Sequence, residues 1–400
     1  MISNTTVAPL SLLLIVKLIV KKKSPMTVSE FEAPPRPSLV LPLAPERFAS
    51  PVDKLSALYC PNIAELPLPQ LQKAQSLLQE MQEALLSAED IESFNEIKRS
   101  LVALLKKHAQ PVTQWNPLVL ELQQPELLQG AQLSNINLEM VRLQAVNGTV
   151  SLERANLQSA QMLCADLSHA RLAEADLSCA DMRFADLSEA CLTRAVLVET
   201  NLEHAKLSFA DFTGANLYCA RLQGALIKQA VLREANLRKA DLRNSDFYQS
   251  DLTEVRLQQS DMREANLFMA DLTAARLRHS DLRFANLGFA RLKDVRLQHA
   301  RLNHANLNST DLTHANLEQC SLTGALLSRA ILTEANLTAC ELLGVDLSDC
   351  CDLDTAVLQS ALVDNDTQWP AGFKPKKHGL VNRQGSGLRK ISNLVSAIFN

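Results

Sequence analysis

Four hundred residues with only 11 glycines and 4% aromatics, but 47% apolar side chains, exclude collagen-like repeats, Gly/Ser linkers and wholesale disorder. Any core must be built of leucine and alanine. The net charge of −4 hides a division: residues 151–220 carry 5 basic and 10 acidic side chains, 221–310 carry 15 and 10, 311–370 carry 1 and 10, and 371–400 carry 6 and none. A basic band therefore lies between two acidic stretches. The 9 cysteines are an odd number and form no CxxC pair, which favours reduced thiols and a cytoplasmic location over a disulfide framework.

In chain order, Val7 to Val20 is apolar apart from Ser11 and Lys17, and Lys21, Lys22 and Lys23 follow. This run is shorter than the ~20 residues that span a bilayer. Its charges follow the apolar run, and no small-x-small cleavage site appears, so it makes a poor signal peptide. Two readings stay open: a membrane-surface anchor, or an upstream start codon with the working start at Met26. The proline-rich stretch from Ser24 to about Pro69 reads as an extended linker, so residues 1–69 are expected to be a disordered or extended N-terminal segment.

Residues 70–111 change to helical periodicity. Leu71, Ala74, Leu77, Leu78, Met81 and Leu85 make one stripe, and Ile91, Phe94, Ile97, Leu101, Leu104 and Leu105 make another. Ser87 followed by Asp90 has the form of a capping box. The spacing predicts an αα-hairpin whose apolar faces cover either the first turn of whatever follows or a second copy of the hairpin.

From Leu152 to Leu347 every fifth residue is apolar: of forty positions, 34 are Leu, three Met, two Phe and one Ile. Two residues earlier 28 of the forty are Ala, and one residue earlier 22 are Asp or Asn. A helix needs a period of ~3.6 and a flat strand 2, so each five-residue unit must bend. A unit with one large and one small inward side chain makes one side of a square, and four units close a coil. Successive coils pair as parallel strands ~4.8 Å apart, so ten coils give a rod ~48 Å long.

Stretches such as ADLSHARLAEADLSCADMRFADLSEA and ANLRKADLRNSDF resemble the pentapeptide-repeat family, with its A(D/N)LXX motif. The resemblance implies an all-β solenoid: a right-handed quadrilateral parallel β-helix, here with a small N-terminal helical hairpin. It covers 152–347 without a gap, and 131–145 and 352–363 less regularly. The β-helix is expected over 112–363, and 364–400 as a capping tail, because WPAGFKP resembles the ending of many cyanobacterial members. Trp369 and Phe373 are expected to cover the last coil. The frame slips at Asn147-Gly148, read as a turn in a distorted coil, and at Cys350-Cys351, read as a one-residue insertion.

Residues twenty apart stack on one face, which turns the sequence into a surface map. Asp241, Asp261 and Asp281 stack beside Arg243, Arg263 and Arg283, either as a self-neutralising pair of ladders or as a partner's register marks. Arg256, Arg276 and Arg296 stack on the preceding face with fewer partners, which points to an anionic ligand surface. Tyr248 and Phe268, with Met269 and Phe289, place apolar side chains outward and read as partner anchors or as inter-coil packing. Cys320 and Cys340 are inward neighbours, better read as small core residues than as a disulfide. His279 and His299 stack outward but lack the further ligands a metal needs.

No Gly-rich phosphate loop, His/Glu metal spacing or nucleophile elbow occurs, so no catalytic, cofactor or metal residues are assigned and no cofactor is expected. The favoured reading is a non-enzymatic scaffold that binds a protein partner, with a homodimer through an end cap as a further possibility. Family members that mimic DNA and bind DNA gyrase imply a second reading, but mimicry needs an acidic rod and the middle here is basic; nucleic acid is not expected as a ligand. A secreted or membrane-associated effector, as some members are, is the third, resting on Val7–Lys23 and the basic tail.

Overall fold

The computed structural model describes residues 66–87, 91–108, 118–122, 128–139, 141–145 and 149–383. The apolar run Val7–Val20, the proline-rich linker to residue 65, Asp90 of the expected capping box, Asn147-Gly148 and the tail from 384 lie outside them.

Helix α1 spans Leu68–Ser87 and α2 spans Ile91–His108. Their stripes meet: Ala74, Met81 and Leu85 of α1 and Phe94, Leu101 and Leu105 of α2 are buried in the same core as the coils. Polar contacts hold α2 to the start of the solenoid. The Asn137 N–H donates to Asn95 Oδ1 at 2.7 Å, and Asn95 Nδ2 donates to the Asn135 carbonyl at 3.3 Å. The buried ammonium of Lys98 donates to Asn137 Oδ1 and to the Glu139 carbonyl. A charge this enclosed is tolerable only because acceptors face it.

Strand β1 (Leu118–Leu122) pairs in parallel with β2 (Val141–Ala145), placing Leu120 opposite Leu143. From Ser151 to Cys351 each side of the coil pairs in parallel with the side twenty residues on, through ten successive steps. The earlier pairs, such as Gln132 with Asn156 and Arg142 with Asp166, are spaced by 24. Between Arg142 and Ser151 the spacing falls from 24 to 20, so that stretch holds four residues more than a whole number of units. At the other end the spacing grows to 21 for Asn336 with Val357 and to 22 for Asp346 with Gln368. The first extra residue is absorbed by a 3-10 turn at Leu353–Thr355. The second falls in a turn where Asp364 Oδ1 accepts the N–H groups of Gly344, Asp366 and Thr367. Pairing continues past 363: β3 (Leu362–Val363) pairs with β4 (Val381–Asn382). Trp369, Phe373 and His378 stack in turn, at 5.0 and 4.6 Å, with Trp369 and Phe373 against the core.

The hydrogen bonds of one unit explain the motif. Around Leu242, the Leu242 N–H reaches the Asp261 carbonyl at 2.7 Å and the Asn244 N–H reaches Arg263 at 3.0 Å, both in the next coil. The Asp241 N–H reaches Ala220 in the previous coil at 3.0 Å, and Ser245 N–H closes the turn onto Leu242 at 3.2 Å. That leaves the residue after the leucine. Arg243 N–H donates to Asp241 Oδ1 at 3.3 Å, an Asx turn. The same bond recurs at Ser178, Thr213 and Glu318, onto Asp176, Asp211 and Asn316. The Asp or Asn before each leucine thus caps the one N–H that the ladder leaves free.

The corner has a local strain. The second residue after each leucine takes the left-handed conformation, at φ +58° for Glu234 and +57° for Asn244. For a non-glycine residue this costs about 1 kcal/mol. The interior shows matching bookkeeping of polar groups. Where Ala is replaced by an inward polar residue, it donates to a carbonyl: Thr200 to Leu177 at 2.8 Å, Ser260 to Leu257 at 2.8 Å, Cys320 to Leu297 at 2.8 Å and Cys340 to Leu317 at 2.7 Å. Cys320 and Cys340 are free thiols. Burial pushes the Cys340 thiol well up, and Cys350 up to about 12.

Candidate functional site

With the core filled, the outer surface is where this rod can act. Each coil presents four sides, and three of them in the middle coils differ sharply in chemistry.

On the side centred on Leu242, Met262 and Leu282, the charges cancel within each coil. Arg243, Arg263 and Arg283 each grip the aspartate two residues before, with Nη2 to Oδ2 distances of 2.5, 2.6 and 2.7 Å. Nε adds a second bond of 2.8 Å to Oδ1 in each. Forks of this kind are the strong form of the ion pair. Burial works to raise the Asp261 carboxyl, but the side-chain and backbone hydrogen bonds from Arg263, with its charge, outweigh that and hold it below the usual carboxylate range. The same balance lowers Asp181, through Arg183, and Asp251, through Thr253 and Arg233. A carboxyl lowered in the folded state contributes stability that is complete above its unfolded value and lost as pH falls through the folded one. The melting temperature is therefore expected to hold from pH 7 to about 5 and to drop below about pH 4. A scanning-calorimetry series in which it rises below pH 4 would contradict these pairs.

The preceding side carries Arg256, Arg276 and Arg296, all exposed and paired rung to rung. Arg278 Nε donates to Gln298 Oε1 at 2.9 Å, and His279 lies flat on His299 at 4.7 Å. At one end Arg238 and Lys239 sit over the Tyr218 ring, at 5.7 and 5.5 Å.

The following side holds the aromatic group. Tyr248 and Phe268 are parallel at 6.3 Å, and Phe289 meets Phe268 edge-on at 5.4 Å. Gly288 makes room for this: a Cβ there would lie 3.2 Å from two Phe268 ring carbons. Phe289 is 48% exposed and Met269 43%. Phe209, 56% exposed, and Leu226 are further exposed apolar side chains, neither singled out from the sequence. Phe209 stands in the same column as Met269 and Phe289, so the twenty-residue spacing carried the signal. The four-sided coil sets the arginine stack and the aromatic patch on opposite sides, separated by the Asp/Arg side.

A second feature also escaped the sequence reading. Phe184 stacks on His204 and Phe284 on His304, each pair at 5.2 Å. Each histidine covers a glycine, Gly224 or Gly324, whose Cβ would lie 2.5 Å from Nδ1. Burial holds the His304 imidazole below its ordinary value. Among the described residues, no group of three His, Cys, Asp or Glu side chains could hold a metal, and no helix is long and apolar enough to cross a membrane.

Comparison with known proteins follows the same lines. The family described as Pentapeptide repeats matches in eight copies within residues 164–267 and 270–349. Among solved structures, HetL, a pentapeptide repeat protein involved in heterocyst differentiation regulation in the cyanobacterium Nostoc, is 30% identical; the match covers 60% of this chain and 91% of HetL, with a TM-score of 0.28. QnrB1, a plasmid-mediated fluoroquinolone resistance protein, is 15% identical over 47% of this chain and 94% of its own, with a TM-score of 0.32. A pentapeptide repeat protein of the Arabidopsis thaliana thylakoid lumen is 24% identical over 28% of this chain and 68% of its own, with a TM-score of 0.15. None of the curated proteins matches the chain. With its leucine-filled square coils, its Asx-capped units and its match along the length of HetL, this chain belongs to the pentapeptide-repeat family and folds as a right-handed quadrilateral β-helix.

Proposed function

We propose that this protein is a non-enzymatic interaction scaffold, a rigid rod that binds a protein partner through the outer sides of its middle coils. The observation that carries this reading is the contrast between sides. One side neutralises its own charges, while its two neighbours leave arginines and aromatic rings facing water. Stacked repeats offer long surfaces for such contacts. Exposed aromatic anchors beside charged rows are the usual makings of an interface. A non-catalytic role is supported by the carboxylates: Asp176, Asp181, Asp186, Asp251 and Asp261 are all lowered against the pull of burial by hydrogen bonds, which leaves them as fixed charges and poor proton donors. The free thiols suit a reducing compartment such as the cytoplasm.

The test is capture by the full chain bearing a photo-cross-linker at Met269 or at Gln259. One cross-linked partner is expected, with Phe268→Ser plus Phe289→Ser raising its off-rate more than it lowers the on-rate. If both positions cross-link no partner while the helical hairpin does, the middle of the rod is a spacer and the reading fails.

A further inference from the structure

The position before the leucine is the one that caps the free N–H of the unit, and on the side centred on Leu237 and Leu257 its commonest occupant is asparagine. Asn216, Asn236, Asn316 and Asn336 occupy it, and they form a ladder where they adjoin: Asn236 Nδ2 donates to Asn216 Oδ1 at 2.7 Å. Arg256, Arg276 and Arg296 interrupt that ladder at three consecutive rungs. Two costs follow. The N–H groups of Gln258, Arg278 and Gln298 lose their Asx acceptor, and three arginines leave backbones paired ~4.8 Å apart in a row.

Elsewhere the same position tolerates arginine because a carboxylate meets it. Arg142 pairs with Asp166, Arg171 with Glu153, Arg221 with Glu203, Arg291 with Asp271 and Arg301 with Asp281. Arg256, Arg276 and Arg296 have no such partner among the described residues. Departure from a local rule without compensation inside the fold marks a site that acts on something outside it.

The strip's shape narrows the partner. The corner before it carries exposed carboxylates, Glu234, Glu254 and Asp294, while the aspartates of the next side, Asp241, Asp261 and Asp281, are already gripped by their own arginines. A broad polyanion such as duplex DNA would bring phosphates against the carboxylates of that corner. A narrow ligand meets only the arginines. An α-helix is ~10 Å across and advances ~5.4 Å per turn, so a helix laid along the rod with one carboxylate per turn meets one arginine per coil. Over three rungs the two spacings drift by only ~1 Å, within the reach of an arginine side chain.

We propose that the Arg256, Arg276 and Arg296 strip docks an α-helix of a protein partner that carries a row of Glu or Asp at i, i+4 and i+7. This rests on the scaffold reading and specifies its partner.

The probe is a fluorescent alanine-based helix of about 18 residues with its glutamates on one face. It is compared by anisotropy with an isomer of the same composition whose glutamates are spread around the helix, and with duplex DNA of similar length. The full-length protein is expected to bind the one-faced helix about tenfold or more tightly than either, and less tightly as salt rises. The variant Arg256→Asn, Arg276→Asn, Arg296→Asn extends the asparagine ladder, so it should melt no lower than the parent chain while losing about tenfold or more in affinity. Equal binding of the two peptides, tightest binding of the duplex, or retained affinity in the triple variant would each overturn the proposal. Failure of all three ligands also overturns it, yet the scaffold reading survives if cross-linking at Met269 still yields a partner.

Discussion

Leu237→Asp should split the rod. Leu237 is fully buried at the centre of its coil, and its N–H bonds the Arg256 carbonyl at 2.7 Å. An aspartate there puts a carboxylate in a leucine column with no donor in reach, which costs several kcal/mol whether it stays charged or takes up a proton. Because each coil touches only its neighbours, the loss spreads along the stack by weakening adjacent interfaces. Native-state hydrogen exchange should show protection falling first in the coils around 217–257, together with a lower melting temperature. Leu237→Met keeps volume and polarity and should cost less than about 1.5 kcal/mol. If the Asp variant melts with the parent chain, the leucine columns are not the core that holds the coils together.

Removing residues 1–111 should turn a well-behaved chain into an associating one. The deletion takes away α1 and α2, whose buried Phe94, Leu101 and Leu105 share the core with Leu120 and Leu128 of the first coil. It also strips Asn137 N–H of its acceptor on Asn95 and removes the Lys98 ammonium from Asn137 and Glu139. What remains is an open β1 edge over exposed leucines, the template for edge-to-edge association. Light scattering after size exclusion is expected to show oligomers or loss of soluble protein. A truncated chain that stays monomeric at the parent's solubility would make the hairpin an independent module and not a cap. Phe94→Asp, which keeps the full length, should move in the same direction by a smaller amount.

Much of this was legible in one dimension. The unbroken period of five at Leu152 to Leu347 determined the square coil, the inward leucines and alanines, and the vertical neighbours of every outward residue, because a period that is neither 3.6 nor 2 admits few closed shapes. The twenty-residue offset places Tyr248 beside Phe268, His279 beside His299, and Asp241 beside Asp261. The helical stripes of α1 and α2 were equally local, set by spacing alone.

The tertiary structure decided what spacing cannot express. The left-handed corner at residues such as Glu234 is invisible in composition, since the ladder bonds of two flanking coils, not glycine, hold it. The aspartates before the leucines cap a backbone N–H, a role that depends on which donors the ladder has already used. The slip near Asn147 amounts to four inserted residues, a count only the partner strand gives, because it shows where pairing resumes. The difference between Arg301, which reaches Asp281, and Arg276, which reaches no carboxylate, depends on side chains a coil away. A side chain's charge is written in the sequence; whether that charge is already satisfied is a property of its neighbours in space.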